Sequence, residues 1–311
     1  KPHYRLECGG VGHGCMTGQM LESIEKIILT EKPSWVLVYG DTNSTLAGAL
    51  AASKLHIPVA HVEAGLRSFN MAMPEEINRV LTDRVSNYLF CPTETAVENL
   101  NKEGFPYPSP TREAQKIFQV GDVMYDATLF YRERAKEHVS LNRWNVEDGK
   151  FALCTIHRAE NTDNPSRLKS IFQALNQINV KLPIIFPMHP RTKKIIEKSS
   201  FANLLMNLII VEPLSYLEVQ RLEIGAKAII TDSGGMQKEA FFHKVPCITL
   251  RDETEWIETV ELGCNVLVGA EKSKIEEAFE DYPLWNCKYE SSPFGNGDSA
   301  SLCLERMLAS S

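Results

Sequence analysis

The chain has 311 residues, a length that predicts two domains, and its 43% hydrophobic and 23% charged residues are typical of a globular protein with a buried core. A formal net charge of −7 disfavours a nucleic-acid partner, because the nucleic-acid backbone is itself negative. No apolar run is long enough to span a membrane, so we expect neither a nucleic acid nor a membrane as a partner.

Apolar runs of strand length recur along the chain, separated by segments with helical patterns. Continuous apolar strands that alternate with helices indicate parallel sheets covered on both faces. Because the runs fall into two series, the sequence predicts an α/β fold with two doubly wound domains and a cleft between them. The predicted strands are 35–39, 57–61, 88–91 and 117–120 in the first series, and 151–156, 182–186, 208–211, 226–230, 247–250 and 265–268 in the second.

The weakest join between the two series is the polar, irregular stretch 140–150. We therefore predict an amino-terminal domain over residues 1–145, a carboxy-terminal nucleotide-binding domain over 146–295 and a terminal helix within 296–311. The first series has fewer strands than the second, so we expect the first domain to be incomplete at its start.

The eight cysteines include no Cys-x-x-Cys pair, which argues against a zinc ribbon or a thioredoxin motif. Reduced thiols are typical of cytosolic proteins, and we therefore predict a cytoplasmic location.

Polar, chemically reactive side chains follow the ends of most of the predicted strands. In open α/β sheets, ligands bind outside the carboxyl ends of the strands, and two such domains facing each other pool these residues in one cleft. The resulting set combines carboxylates, imidazoles and guanidinium groups, a mixture that suits proton transfer beside an anionic leaving group. Its members are Asp41, Glu63, Glu75, His157, His189, Arg67, Arg158 and Arg251.

A Gly-rich turn between the strand 226–230 and a helical pattern that begins at Met236 predicts a phosphate site. Gly234 and Gly235 let the backbone approach an anion closely, and the N-terminus of the following helix presents N–H groups to it. Ser233 adds a hydroxyl, and Glu239 lies about one turn further on, within reach of the sugar of a nucleotide. The alternative is a plain turn in which Asp232 and Ser233 cap the helix.

Structural explanations stay open for the other candidates. Asp41 is equally suited to capping a helix, and Glu63 to a salt bridge with Arg67, because a charge this deep in a strand exit is costly unless paired. Glu75 complements the dipole of a helix that begins near Pro74. His61 is predicted to be a packed or hydrogen-bonded core histidine.

Taken together and in this order, these segments resemble the non-hydrolysing UDP-N-acetylglucosamine 2-epimerase family. The resemblance covers essentially the whole chain. It implies two Rossmann-like domains in a glycosyltransferase-B arrangement, a homodimer, and a carboxy-terminal helix that returns to the first domain. The stretches that carry it are 39–42, 61–67, 74–79, 120–122, 157–158, 232–240, 251–255 and 293–298.

The resemblance also implies a reaction, in which UDP leaves C1 of the sugar as the C2 proton is lost. The product is a 2-acetamidoglucal, to which proton and UDP return with inversion at C2. Asp41, Glu63, Glu75 and His157 are then catalytic, and no metal or redox cofactor is required. The expected UDP-sugar contacts are Arg67, Arg158, His189, Ser233, Gly234, Gly235, Glu239 and Arg251.

Two departures from the family pattern leave alternatives open. The usual Gly-Thr-Arg-Pro-Glu loop is absent, and residues 254–258 read Thr-Glu-Trp-Ile-Glu where many members have Thr-Glu-Arg-Pro-Glu. Together with this second departure, the stretch 68–73 resembles relatives that act on other UDP-sugars, such as UDP-2,3-diacetamido-uronic acids, so both substrates stay open. A glycosyltransferase of the same architecture and a non-catalytic nucleotide-sugar-binding protein are the further alternatives. A dehydrogenase is disfavoured, because no Gly-x-Gly-x-x-Gly follows an early strand.

Overall fold

The computed structural model describes residues 1–108, 114–196, 202–205 and 207–309. The chain forms two compact units, the first comprising residues 1–123 and 293–311 and the second residues 124–292. This division falls earlier in the chain than the boundary predicted at 145/146. The predicted domain bounds stay a prediction, because compactness does not show which segments fold on their own.

The first unit, as far as it is described, contains a four-stranded parallel sheet in the order β1-β2-β3-β4. β2 and β3 are fully buried, as expected for strands covered on both faces. Its strands are β1 (Val36–Tyr39), β2 (Val59–Val62), β3 (Tyr88–Cys91) and β4 (Lys116–Gln119), and its helices are α1 (His13–Glu31), α2 (Asn43–Lys54), α3 (Pro74–Val85), α4 (Glu94–Lys102) and α13 (Ser299–Leu308).

The second unit, over its described residues, contains a six-stranded parallel sheet in the order β10-β9-β8-β5-β6-β7. Its strands are β5 (Ala152–Thr155), β6 (Ile184–Pro187), β7 (Ile209–Val211), β8 (Ala228–Thr231), β9 (Cys247–Thr249) and β10 (Asn265–Leu267). Its helices are α5 (Val123–His138, beginning at the boundary), α6 (Ala159–Thr162), α7 (Pro165–Lys181), α8 (Pro190–Ile196), α9 (Tyr216–Gly225), α10 (Gly234–Phe242), α11 (Ile257–Glu261) and α12 (Lys272–Asp281).

Apolar cores lie on both faces of the second sheet, one centred on Phe172 and Phe186 and the other on Phe151 and Leu153. In the first unit, Cys303 of α13 packs with Tyr88 and Phe90 of β3. The predicted α/β fold with parallel sheets is confirmed. Each predicted apolar run overlaps an observed strand.

The register of the sheets decides which polar residues meet. Tyr39 pairs with Val62, so Gly40 and Glu63 leave neighbouring strands at the same edge of the first sheet. Thr155 pairs with Thr231, so the residues that follow β5 and β8 leave the second sheet together. Because all strands within a sheet are parallel, these exits lie at the carboxyl edge, where α/β proteins bind ligands.

Candidate active site

In the first unit, Asp41 is held by α3 through both its main chain and its side chain. Asn78 Nδ2 donates to the Asp41 carbonyl oxygen over 2.9 Å, and Arg79 Nη2 donates to Asp41 Oδ2. The Arg79 side chain is almost fully buried, whereas 30% of the Asp41 side chain is exposed. Asp41 therefore has a carboxylate oxygen that is held by the buried Arg79, while part of its side chain remains exposed to solvent.

Glu63 has a left-handed backbone, with φ of 76°. Such a conformation is uncommon for residues other than glycine, costs roughly 1–3 kcal/mol and clusters at functional sites. A Cβ built on Gly40 would lie 3.2 Å from Glu63 Oε2, so the Glu63 carboxylate lies directly beside the backbone that precedes Asp41. The sheet thus brings the two predicted catalytic carboxylates to adjacent positions.

A buried network supports the two strand exits. His61 Nε2 donates to the Gly40 carbonyl oxygen over 2.8 Å, and His61 Nδ1 lies 2.7 Å from Asp83 Oδ1. Both neighbouring atoms are acceptors, so the ring donates from both nitrogens. Asp83 Oδ2 in turn accepts from Gly65 N at 3.1 Å. The prediction that His61 is a hydrogen-bonded core histidine is confirmed.

Arg67 belongs to this network. Its Nη1 donates to Asp83 Oδ2 over 2.7 Å, and its Nε and Nη2 form a bidentate pair with Glu103 at 2.6 and 2.8 Å. Burial tends to raise the pKa of Asp83, but His61 and Arg67 together bring it below its usual value. The Arg67 guanidinium pairs with Asp83 and Glu103 rather than with Glu63, and only 1% of its side chain is exposed. The predicted contact of Arg67 with the substrate stays a prediction. In the structure Arg67 binds Asp83, which also accepts from Gly65 N, and so it helps to hold the turn 63–67.

The two neighbouring glutamates at the start of α3 differ in their surroundings. Glu75 is half-buried in the first helical turn, where its charge complements the helix dipole. Glu76 is buried, and its carboxylate accepts from Ser68 N, Ser68 Oγ and Phe69 N, each at 3.0 Å. Glu76 therefore holds the loop that precedes α3, whereas the side chain of Glu75 is partly exposed and its predicted catalytic role stays a prediction.

In the second unit, Asp232 organises the loop that follows β5. It is fully buried, and its carboxylate accepts from His157 N and Arg158 N at 3.0 Å and from Asn161 Nδ2 at 3.1 Å. His157 Nδ1 lies 3.4 Å from Asp232 Oδ1. Of the two residues in the capping alternative, Ser233 caps α10, whereas Asp232 binds the N–H groups of the two residues that precede α6.

His157 and His189 lie side by side, with ring centroids 5.7 Å apart. Burial lowers the pKa of His157, as do the charges of Arg158 and His189, against the opposing effect of Asp232. The imidazole is therefore neutral near pH 7 and able to accept a proton.

The N-terminus of α10 has the features of an anion site. Ser233 is the N-cap, and its hydroxyl accepts from Met236 N at 3.4 Å. The N–H groups of the first turn, which include those of Gly234 and Gly235, have no acceptor within the helix. A Cβ on Gly234 would lie 2.6 Å from Glu255 Oε1, so a larger residue here would have to displace the Glu255 carboxylate.

Arg251 lies buried beside this helix end. Its Nη1 donates to Glu255 Oε2 over 2.9 Å, and its Nε lies 3.7 Å from Glu160 Oε1. Only 1% of the Arg251 side chain is exposed, and the predicted contact of Arg251 with UDP stays a prediction. Its partner Glu255 is the residue whose carboxylate packs against Gly234. Glu239, one turn into α10, is also nearly buried, and its Oε1 accepts from Gln220 Nε2 at 2.7 Å.

The structure adds functional residues that the sequence reasoning missed. Glu76, Arg79 and Asp83 share one buried face of α3 at helical spacing. Charged residues on the inward face of a helix are the signal that could have identified them. Gln220 and Glu223 of α9 carry no comparable local signal.

A family model described as UDP-N-acetylglucosamine 2-epimerase matches residues 1–308. The chain belongs to the UDP-N-acetylglucosamine 2-epimerase family. The resemblance inferred from the sequence motifs is thereby confirmed, and with it the assignment to a family of isomerases.

Relatives of known sequence and structure extend this similarity over the whole chain. A UDP-2,3-diacetamido-2,3-dideoxy-D-glucuronate 2-epimerase from Pseudomonas aeruginosa is 52% identical over 306 residues, which cover 98% of this chain and 83% of the relative. The crystal structure of the Methanocaldococcus jannaschii UDP-GlcNAc 2-epimerase in complex with UDP-GlcNAc and UDP matches with a TM-score of 0.88 and 49% identity, covering 100% of this chain and 85% of that one. That of the enzyme from Neisseria meningitidis bound to UDP-GlcNAc matches with a TM-score of 0.87 and 32% identity, covering 99% and 86%.

Among the described residues, no helix is both long and apolar enough to cross a membrane.

Proposed function

We propose that the protein inverts C2 of a UDP-activated N-acetylhexosamine, interconverting UDP-GlcNAc and its C2 epimer by elimination and re-addition of UDP. The observation that carries this proposal is the adjacent placement of Asp41 and Glu63 at neighbouring strand exits in a chain of the 2-epimerase family.

The C2 hydrogen of the substrate is not next to a carbonyl, so enolate formation is not available. In the proposed route a base removes the C2 proton while the C1–O bond breaks, and the electron pair of that bond leaves with UDP. The proton then returns to the opposite face of the double bond, and UDP adds again at C1. Two faces of one carbon need two proton-handling groups or one relay, and Asp41, Glu63 and Glu75 are the candidates.

We assign the binding of the nucleotide to the second unit. Ser233, Gly234 and Gly235 face the diphosphate with hydrogen-bond donors that stabilise negative charge as UDP departs. Arg158 adds positive charge, and neutral His157 is placed next to it, held by Asp232. Glu239 is assigned to the ribose hydroxyls. His189 and Arg251 are assigned to the surroundings of the phosphates, the latter through its pair with Glu255. The proposal requires both units to serve one substrate.

A second substrate is favoured by a specific observation. The relative from Pseudomonas aeruginosa, 52% identical, is named for a UDP-2,3-diacetamido-uronic acid, and the segment 254–258 departs from the motif of many UDP-GlcNAc enzymes. The chemistry at C1 and C2 is the same for both sugars, so the assigned residues do not change.

A homodimer in the cytoplasm is the remaining part of the proposal. Exposed apolar side chains on and just before α3, at Phe69, Met71, Ile77 and Leu81, offer a surface that a second copy would cover. Light scattering after size-exclusion chromatography tests the dimer, and the cytoplasmic location stays a prediction.

Proton NMR of reactions in deuterated water, with each candidate UDP-sugar alone, tests the reaction. We expect inverted configuration together with deuterium at C2 for one of them. Turnover that occurs only when a sugar acceptor is added would instead identify a glycosyltransferase. UDP binding without turnover of either sugar would identify a nucleotide-sugar-binding protein.

A further inference from the structure

A second buried carboxyl group lies behind Glu239 and has no role in the reaction described above. Glu223, on α9, is fully buried. Its Oε2 accepts from Gln220 Nε2 at 2.9 Å, and the same Gln220 amide nitrogen donates to Glu239 Oε1 over 2.7 Å. One side-chain amide thus links the buried glutamate to the proposed ribose ligand.

The donors and acceptors in the series of hydrogen bonds from Arg132 through His243 to Gln220 can be assigned, starting from Arg132. Arg132 can only donate, so His243 Nδ1, 3.4 Å from Arg132 Nη2, is an acceptor. Burial lowers the pKa of His243 to about 3, with Arg132 and Lys136 acting in the same direction, so the ring is neutral and carries its proton on Nε2. That N–H donates to Gln220 Oε1 over 2.9 Å. Gln220 therefore turns its amide nitrogen, with two donors, toward the two glutamates.

The two carboxyl groups lie close together, because both accept from the same Gln220 amide nitrogen. Within the described residues, Glu223 Oε1 is buried and has no hydrogen-bond donor. Burial raises the pKa of Glu223 well above its usual value, and so do the charge of Glu239 and a hydrogen bond to Glu239. Two carboxyl oxygens form a hydrogen bond only when one of them is protonated. Glu223 is the fully buried one of the two, so we take it as the group that holds the proton and directs it toward Glu239.

We propose that Glu223 is a positioning residue that, as a neutral carboxylic acid oriented by Gln220, holds the Glu239 carboxylate in place for the ribose hydroxyls of the nucleotide. This inference rests on the proposed function, because it takes Glu239 as the ribose ligand. The pKa of Tyr216 is raised to about 12 by burial and by the charge of Glu239, so its hydroxyl stays protonated.

Several charged or titratable groups face Glu223 and its partners, and they define the pH range in which the arrangement holds. From α10 come Glu239 and His243, with His243 Nε2 3.8 Å from Glu223 Oε2. The others are Tyr216 on α9, Cys247 on β9, and Arg132 and Lys136 on α5, the last two acting on His243. The pKa of Cys247 is raised to about 12 by burial, so this thiol does not change charge near neutrality.

The test compares the affinity of UDP with that of 2′-deoxy-UDP by calorimetry. The ratio of the two dissociation constants reports contacts with the ribose 2′-hydroxyl, and titration of the diphosphate cancels in it. For the wild-type protein at pH 7 we expect a ratio of about ten or more, as for a hydrogen bond to a buried charged group. Glu239→Ala is expected to bring the ratio close to one.

Three further variants test the role of Glu223 separately from that of Glu239. Glu223→Leu keeps the volume but removes the donor, and we expect the ratio to fall at least threefold. Glu223→Gln keeps a donor that does not titrate, so the ratio stays at the wild-type value at pH 7. As the pH is raised, the wild-type ratio falls where Glu223 ionises, whereas the Glu223→Gln ratio stays constant. The control is Glu218→Gln, the same change on the same helix at the exposed capping box.

The outcomes separate the two claims. A ratio unchanged in Glu239→Ala overturns the ribose assignment and the role of Glu223 with it. A ratio lost in Glu239→Ala but unchanged in Glu223→Leu overturns only the role of Glu223. If Glu223→Leu does not fold, the pH profile decides, and parallel profiles for wild type and Glu223→Gln contradict the proposal.

Discussion

Glu63 and Gly65 share one short turn, and both have a left-handed backbone, with φ of 76° and 80°. Gly65 is fixed by sterics, because a Cβ there would lie 2.3 Å from the Ala96 carbonyl oxygen. Gly65 N also donates to Asp83, which ties the turn to the buried network under Glu63. The placement of the Glu63 carboxylate therefore depends on a glycine two residues further on.

Gly65→Ala is predicted to destabilise the first unit far more than an ordinary left-handed glycine does. The matched control is Gly104→Ala, since Gly104 has φ of 85° but, among the described residues, its Cβ would meet only the Tyr107 ring, at 3.8 Å. The left-handed backbone costs both variants about 1–2 kcal/mol, and the clash with Ala96 adds about 1–3 kcal/mol for Gly65. Urea unfolding followed by circular dichroism measures both, and equal losses would contradict the steric argument.

Asp41→Asn and Glu63→Gln are each predicted to lower turnover by about two to four orders of magnitude, because each removes a group that handles a proton in the transition state. UDP affinity is expected to stay within a few-fold of wild type, since the nucleotide is assigned to the second unit. Glu98→Gln, an exposed carboxylate paired with Lys102, serves as the control. Wild-type turnover in either active-site variant would remove that residue from the mechanism.

At the residue scale, the sequence identified the carboxylates that follow strands but not the charges that hold them. Asp41 and Glu63 follow apolar runs directly, so position alone marks them. The partners of Asp41 and Arg67 lie far along the chain, at Arg79 and Glu103. No local pattern predicts which distant charges meet, and the salt bridge with Arg67 that was left open as the alternative for Glu63 is not the pairing that Arg67 has in the structure.

At the scale of the element, the exits of β5 and β8 are joined by a single carboxylate. Asp232 follows β8, yet the N–H groups it binds, those of His157 and Arg158, follow β5. The strands were predictable because a parallel sheet buries both faces of its strands, which leaves continuous apolar runs in the sequence. The lateral order β10-β9-β8-β5-β6-β7 was not, because no apolar run specifies its neighbours. The meeting of residues 157 and 232 follows from that order and from the register.

Asp232→Ala is predicted to cost about 3–5 kcal/mol of unfolding free energy, because it leaves buried N–H donors without their acceptor. It is also expected to weaken UDP binding, since the loop with His157 and Arg158 loses its anchor. Asp252→Ala is the control. It removes an exposed carboxylate that pairs with Arg167, and such surface pairs contribute about 0–1 kcal/mol. Similar losses in the two variants would show that Asp232 does not hold the loop.

At the scale of the whole molecule, the buried titratable groups of the second unit make stability depend on pH in two opposite directions. The pKa of His243 falls to about 3 in the folded state, from a value near 6.5 in the unfolded chain, so protonation of the unfolded chain destabilises the fold as pH falls below about 6.5. The pKa of Glu223 is raised, so stability falls as pH rises above about 4.5, until Glu223 ionises in the folded state. Between those limits the two slopes oppose each other, and above about pH 6.5 only the effect of Glu223 remains.

Glu223→Gln removes the decrease of stability with pH that Glu223 causes. The unfolding free energy of this variant, relative to wild type, is therefore predicted to increase with pH. From about pH 5 upward the gain reaches up to about 1.4 kcal/mol per pH unit, until Glu223 ionises in the folded wild type. Urea unfolding followed by tryptophan fluorescence reports mainly on the second unit, which holds Trp144, Trp256 and Trp285. Glu218→Gln is again the control: hydrogen bonds from Ser215 lower the pKa of Glu218, so its contribution is complete above about pH 4.5 and its difference from wild type stays flat. A flat difference for Glu223→Gln over the same range would mean that Glu223 is already charged in the folded protein, and the shared proton with Glu239 would be excluded.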